Sequence, residues 1–411
     1  MENEAIRIGE AEELIRGLRE GCFNSELQKE AYTEARGKLL GMDPAEEEFS
    51  SDGMYWWYRT VRETAYEDFA AGFGRKLTVS VTSYPARMGT LAASLQTVFD
   101  QTRKPDEVIL WLADAQFPGM EAELPEEIRA WIGEGKLTLR WCEDLKPHKK
   151  YYWMLQENRD GLTVTADDDL CFAPDMLEML TLSFIRHPET VSAMRVHLMA
   201  VAEDGKLLPY ARWVMETDAE PDRPAQELFA TTGAGTLYPP GLLGERFFDR
   251  QAILDTCLMA DDLWMKANEL MDGIPVVLAC RNRGLRFVPG SQDDTLWKSN
   301  REGNDAQWEK IRDLIDAREG KGALEKKLAA VSLERYSAHA SRRADTLQGR
   351  VTEIRRQRDE QSREKRELQK QAKKLREEKA LLQEQLDHIR STFAYRVYAK
   401  MFVPVRNIFR K

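Results

Sequence analysis

The 411-residue sequence predicts an α/β domain on a largely parallel sheet, with helices before it and a coiled coil after it. Three observations predict this. From Lys76 onward, short β-branched runs alternate with stretches of helical spacing, the pattern of βαβ units. Ahead of them, acidic and apolar residues recur three and four apart. Beyond them, a highly charged segment keeps a heptad frame.

Residues 1–75 read as a helical region. The periodic stretches are 11–18 and 27–40, and Pro44 breaks the pattern. The run Tyr55-Trp56-Trp57-Tyr58 requires packing, in the core or against the next domain; a binding surface is the alternative. The α/β domain is assigned to 76–318. Leu77–Thr82, 107–112, 137–141 and 162–165 are strand candidates, and 89–101 and 149–157 are helical. In open sheets of this kind ligands bind beyond the carboxyl ends of the strands. That rule selects Ser83-Tyr84-Pro85, Asp114 and the triplet Asp167-Asp168-Asp169, each directly after a strand candidate.

Residues 319–392 are assigned to the coiled coil. The d positions are Ala340, Leu347, Ile354, Gln361, Leu368, Leu375, Leu382 and Ile389; the a positions are Ala344, Val351, Arg358, Lys365, Ala372, Lys379, Leu386 and Phe393. The rod would be roughly 80 Å long at about 1.5 Å per residue. A single chain cannot bury its own seam, so a homo-oligomer, with a parallel dimer favoured, is expected; a solvated single helix is the alternative. The last segment, 393–411, has no acidic residue and places Arg396, Lys400, Arg406, Arg410 and Lys411 among aromatic and aliphatic side chains. That composition suits the surface of an anionic membrane, or packing on the protein itself or a partner.

Composition excludes some classes. The net charge of −10 argues against a nucleic-acid partner. The five cysteines form no CxxC pair, so neither a disulfide framework nor a zinc site is expected. The acidic N-terminal stretch lacks the apolar core of a signal peptide, and no run approaches the ~20 apolar residues of a membrane span. The expected location is the cytoplasm, on the inner face of the membrane.

Three adjacent carboxylates after an apolar strand repel one another unless a cation sits among them. In an extended segment Asp167 and Asp169 share a side, so both can face one hard divalent ion, Mn²⁺ or Mg²⁺, together with substrate phosphates. Asp168 points elsewhere, toward a ribose or a lysine. The run Lys146-Pro147-His148-Lys149-Lys150 offers cations and an imidazole to a diphosphate, or is a solvated basic turn.

Residues 77–300 resemble nucleotide-sugar glycosyltransferases of the GT-A fold, closest to the family 2 type. The resemblance is carried by Val79-Ser80-Val81-Thr82-Ser83-Tyr84-Pro85-Ala86-Arg87, by the strand ending in Asp114, by Asp167 and Asp169 as the DxD motif, and by the acidic pair Asp261-Asp262 opening a helix that ends at Gly273. It implies a nucleoside-diphosphate sugar donor and an inverting transfer to a hydroxyl, with Asp262 as base. It also implies a donor site of Thr82, Tyr84, Pro85, Arg87, Asp114, Lys149, Lys150 and Asp168. Gly233, Gly235, Asp261 and Trp264 are expected at a glycan or lipid-linked acceptor. Helix capping is the plain reading of Asp261-Asp262. His197 is a candidate for lining the site or for burial; Trp213 and Trp264 are candidates for sugar stacking or core packing. The polar stretch 303–307 departs from the family pattern, with Asp305 as a candidate for reaching the donor. Surface-polysaccharide assembly is the expected setting. The competing readings are a sugar nucleotidyltransferase, which lacks its Gly-rich loop here, and a coiled-coil scaffold with a degenerate domain.

Overall fold

The computed structural model describes residues 6–202, 206–218, 220–292, 296–328, 333–391, 396–398 and 400–401. The chain forms two units, Met1–Arg343 and Ala344–Lys411. In the first, four helices lead: α1 (Ile8–Phe23), α2 (Lys29–Leu39), α3 (Asp52–Glu63) and α4 (Tyr66–Phe73). The α/β part follows as β1 (Leu77–Thr82), α5 (Met88–Phe99), β2 (Glu107–Ala113), α6 (Glu126–Gly133), β3 (Thr138–Cys142), α7 (Lys149–Tyr152), α8 (Met154–Glu157), β4 (Leu162–Ala166) and α9 (Met176–Arg186). It continues through β5 (Val191–Ala193), β6 (Val196–Leu198), β7 (Leu228–Ala230), β8 (Ala234–Tyr238), α10 (Arg250–Thr256), α11 (Asp261–Asp272) and β9 (Val276–Leu278). The helices α12 (Leu296–Glu319), α13 (Ala323–Leu328) and α14 (Leu333–Ser391) complete the chain.

The expected fold class is the one observed: a mixed sheet flanked by helices. Seven strands lie in the order β3-β2-β1-β4-β8-β5-β9. Only β8 runs against the others, pairing antiparallel with β4 and β5. The runs Leu-Thr-Val-Ser-Val-Thr and Leu-Thr-Val-Thr-Ala are buried almost throughout, as central strands covered on both faces must be. Register sets where these strands end. Thr82 lies opposite Trp111, and Val81 opposite Ala166, so the segments after β1, β2 and β4 emerge at one edge. The start of β8 reaches the same edge, with Ala234 opposite Ala166 after a register shift between Thr165 and Ala166.

The aromatic run on α3 is core. Trp56, Trp57 and Tyr58 are buried, each contributing about 2 kcal/mol or more through removal of apolar surface from water. The buried Glu178 of α9 collects Arg19 (2.6 and 2.9 Å), Thr102 Oγ1 (2.5 Å) and the Trp57 indole N–H. That carboxylate joins the N-terminal helices to the sheet layer. At the other end, Ile311 and Ile315 of α12 and Leu324 and Leu328 of α13 are buried in the core cluster that contains α11, so the helical segment past residue 319 is still packed on the α/β core.

In the second unit, Leu368, Leu375 and Leu382 on α14 are exposed. Seam side chains ahead of Arg358 lie outside the described residues, as does the tail 393–411 apart from 396–398 and 400–401. No helix among the described residues is long and apolar enough to cross a membrane.

Candidate active site

Two acidic clusters from distant parts of the sequence meet at the carboxyl edge of the sheet. The first is the triplet after β4. Asp167 Oδ1 accepts from Lys150 Nζ at 2.7 Å, and its backbone N–H donates to the Gly233 carbonyl at 2.9 Å. Asp169 Oδ2 accepts from Gln292 Nε2 at 3.0 Å and lies 3.2 Å from Arg87 Nη2. Burial, and then the Asp167 charge, push the Asp169 carboxyl above its ordinary range. Asp168 and Asp169 lie in a turn after β4, and Asp168 takes a different partner from either neighbour. It is buried and accepts from the Ser83 hydroxyl, and burial pushes it up to about 7. It ties the end of β4 to the loop after β1 instead of reaching a ribose or a lysine.

The second cluster opens α11. Asp261 is buried; its Oδ2 accepts from Lys150 Nζ (3.0 Å) and Thr232 Oγ1 (2.7 Å). Burial opposes its charge, but Lys150 and His148 outweigh burial and hold the carboxyl below the usual range. Asp262 stays partly exposed. Its Oδ1 accepts from the Thr232 backbone N–H (2.9 Å) and sits 2.6 Å from Thr232 Oγ1. Burial, and then the charge on Asp261, push Asp262 up to about 7. The Thr232 hydroxyl has one proton and two carboxylate oxygens within 2.7 Å, so the pair offers a place for one shared proton near neutrality.

Lys150 joins the clusters. Its ammonium lies within 3.0 Å of both Asp167 and Asp261, and although burial disfavours the cation, the surrounding carboxylates raise its pKa. It faces acids, not an open diphosphate pocket. Lys149 is buried as well, 3.3 Å from the Ser83 carbonyl and 3.4 Å from Asp144, and its burial lowers its pKa. The basic run is therefore not a solvated turn. Its imidazole is also internal: His148 Nε2 donates to the Cys257 carbonyl (2.9 Å), which leaves Nδ1 to accept from the Tyr151 hydroxyl (2.9 Å). Burial lowers this histidine to about 4.

Other expected residues fall in distinct places. Thr82 Oγ1 donates to the Trp111 carbonyl at 2.9 Å, pinning the β1 end to β2. Tyr84 is half-buried and its hydroxyl is 3.3 Å from Arg87 Nε, while Pro85 and Asp114 are exposed on the same edge. Gly233 has a steric reason: a Cβ there would lie 1.7 Å from Asp167 Oδ2. Gly235, at φ +99°, would meet Met176 Sδ at 2.6 Å.

Three assignments are corrected. Asp261 is a buried partner of Lys150 and Thr232, not an acceptor contact. Trp264 is buried and donates its indole N–H to the Phe247 carbonyl at 2.8 Å, so its ring belongs to the core. Asp305 Oδ1 accepts from the Tyr210 backbone N–H at 2.8 Å instead of reaching the donor. His197 is buried, with Nδ1 accepting from the Glu216 N–H at 2.9 Å, and Trp213 is likewise buried. Sequence reasoning pointed to the loop at Ser83 without giving that hydroxyl a role, and missed Thr232 and Gln292. Thr232 stands beside a glycine already singled out, whereas Gln292 carries no local signal.

The donor set suits a hard divalent cation. Asp167 and Asp169 supply carboxylate oxygens that repel each other, and Gly233 leaves room against Asp167. Among the described residues no group of three or more His, Cys, Asp or Glu side chains forms a cage, so phosphate and water oxygens would complete the ion's shell.

No protein-family model matches the sequence, and no curated protein matches it. Solved structures of distant similarity include S. aureus TarS 1–349 in complex with UDP, with 14% identity and a TM-score of 0.31 over 49% of this chain and 57% of that one. They also include the mannosyltransferase PcManGT from Pyrobaculum calidifontis in complex with GDP-Man and Mn²⁺, with 15% identity and a TM-score of 0.38 over 93% and 98%. A further structure of S. aureus TarS 1–349, with UDP-GlcNAc, has 13% identity and a TM-score of 0.35 over 64% and 92%. The chain thus spans little more than half of the first TarS chain, and similarity this distant carries no argument about chemistry.

Proposed function

We propose that the chain is a metal-dependent GT-A glycosyltransferase that moves a sugar from a nucleoside-diphosphate donor to a hydroxyl acceptor with inversion. The observation that carries this reading is the Lys150 bridge. It holds the Asp167 cluster and the Asp261-Asp262 cluster side by side, at 2.7 and 3.0 Å. Asp167 and Asp169 would hold Mn²⁺ or Mg²⁺, which when bound would offset charge on the donor diphosphate. Tyr84, Pro85, Arg87 and Asp114 line the edge where the nucleotide would lie. Asp262, partly exposed and raised toward neutrality, takes the acceptor proton. The acceptor oxygen bonds to the anomeric carbon as the carbon–oxygen bond to the diphosphate breaks, its electron pair leaving with the nucleoside diphosphate. One displacement with one base inverts the configuration.

Two architectural readings accompany it. The exposed Leu368, Leu375 and Leu382 support dimerisation of α14 with a second copy of the chain. The composition of 393–411 supports seating on an anionic inner membrane surface, which would favour lipid-linked or polymeric glycan acceptors.

The test is release of nucleoside diphosphate from a panel of nucleotide sugars with Mn²⁺, with the product anomer read by NMR. The expected result is turnover of one donor with inversion, abolished in Asp262→Asn. Turnover unchanged in that variant, or retention of configuration, contradicts the reading; so does no turnover of any donor, the outcome expected of a scaffold.

A further inference from the structure

The polar stretch 303–307 has a structural consequence on the segment around Tyr210. Asp305, on α12, accepts the backbone N–H of Tyr210 across 95 residues of sequence, at 2.8 Å. Tyr210 opens the short turn Tyr210–Arg212 directly after Pro209. Its ring is wedged among three buried rings: edge-on to His197 and to Phe229, both at 6.1 Å, and tilted against Trp213 at 4.9 Å. His197 and Phe229 are themselves register partners across β6 and β7 and stack at 6.0 Å with their planes nearly parallel. Tyr210 is the member of this cluster that stays half-buried, so part of it faces outward on a rigid base.

The strand packed under that ring leads to the candidate base. From Phe229, β7 runs through Ala230 into Thr231 and Thr232, and Thr232 clasps Asp262. Arg195 is tied to the same segment: its carbonyl accepts the Thr231 N–H at 3.2 Å, and its Nη2 pairs with Glu216 Oε1 at 2.9 Å. The charges of Asp262 and Arg195 both act on the Tyr210 hydroxyl, which burial pushes above its ordinary range. An immobilised aromatic ring, an Arg–Glu pair and a carboxylate base together match a pyranose. Its C–H face packs on the ring, its hydroxyls meet the ion pair, and one hydroxyl reaches the base. An acyclic alcohol has no use for the ring.

We propose that Tyr210 is the stacking wall of the acceptor subsite, that Asp305 is its positioning residue, and that the acceptor is a sugar ring. This rests on the transferase reading. The test uses the full chain with Mn²⁺ and the nucleotide sugar it turns over. Acceptors are the methyl glycosides of glucose, galactose, mannose and N-acetylglucosamine, with glycerol as the acyclic comparison. Donor turnover by the wild type without acceptor is read first; its absence for every donor fails the transferase reading and this proposal with it. With turnover present, Tyr210→Ala should raise the KM for the best methyl glycoside about tenfold and change transfer to glycerol less than about twofold. Tyr210→Phe keeps the ring and should restore the glycoside KM to within about twofold. Asp305→Ala should raise that KM about threefold with little change in the donor KM, as a loosened ring would. A glycoside KM unchanged in Tyr210→Ala, a parallel loss for glycerol, or a wild type that turns over donor but uses no methyl glycoside would overturn the acceptor proposal alone.

Discussion

The two acidic clusters carry similar charge and are handled differently. After β4, three adjacent carboxylates are spread over four partners: Lys150 for Asp167, Ser83 for Asp168, Arg87 and Gln292 for Asp169. At the start of α11, two carboxylates share one hydroxyl, and only Asp261 has the cation beside it. Lys150 favours the ionised form of both, but Asp261, in contact with it, is held below its usual range, whereas burial and the charge on Asp261 push Asp262 up to about 7. Contact with the cation, set against burial and the charge of the neighbouring acid, separates the two carboxylates. In the proposed function, the triplet offers oxygens to a cation and the pair moves a proton.

Removing the proton acceptor should break the comparison most sharply. Asp262→Asn should lower kcat by about 10²- to 10⁴-fold in a transfer assay, with the donor KM changed little. Next comes the shared cation. Lys150→Met leaves Asp261 buried without its lysine and should cost about 3–5 kcal/mol in urea unfolding. An intact stability would mean that the clusters do not depend on one another. The pH profile sharpens the pair itself. With Asp262 as the proposed base its ionised form does the work, so kcat/KM should rise with pH through about 7 and fall below it. Thr232 bonds favour the ionised form, so Thr232→Val should move that inflection upward. The smallest effect is expected at Trp264, on the same helix but turned to the core. Trp264→Phe should cost about 1 kcal/mol through loss of the bond to Phe247, with the acceptor KM unchanged.

The difference between the clusters also marks what was legible in sequence. The triplet after β4 and the acids opening α11 were readable because each follows from local pattern: a β-branched buried run before one, and a helix ending at Gly273 in the left-handed conformation after the other. The parallel strands β1, β2 and β4 were readable for the same reason. Partnership was not. Lys150 meets Asp261 and Gln292 meets Asp169 across more than a hundred residues, and no spacing rule announces such pairs. Exposure was equally hidden. Trp264 and Asp261 sit one turn or less from Asp262, and only packing shows that both face inward.

The central claim is that these clusters form one metal-dependent donor site. It is tested most directly by thermal shift of the full chain with a panel of nucleoside-diphosphate sugars, with and without Mn²⁺. The account predicts a rise in Tm for at least one nucleotide sugar that requires Mn²⁺ and disappears when Asp167→Ala and Asp169→Ala are combined. A shift that is indifferent to Mn²⁺ and survives both substitutions, or no shift with any nucleotide sugar, would contradict it.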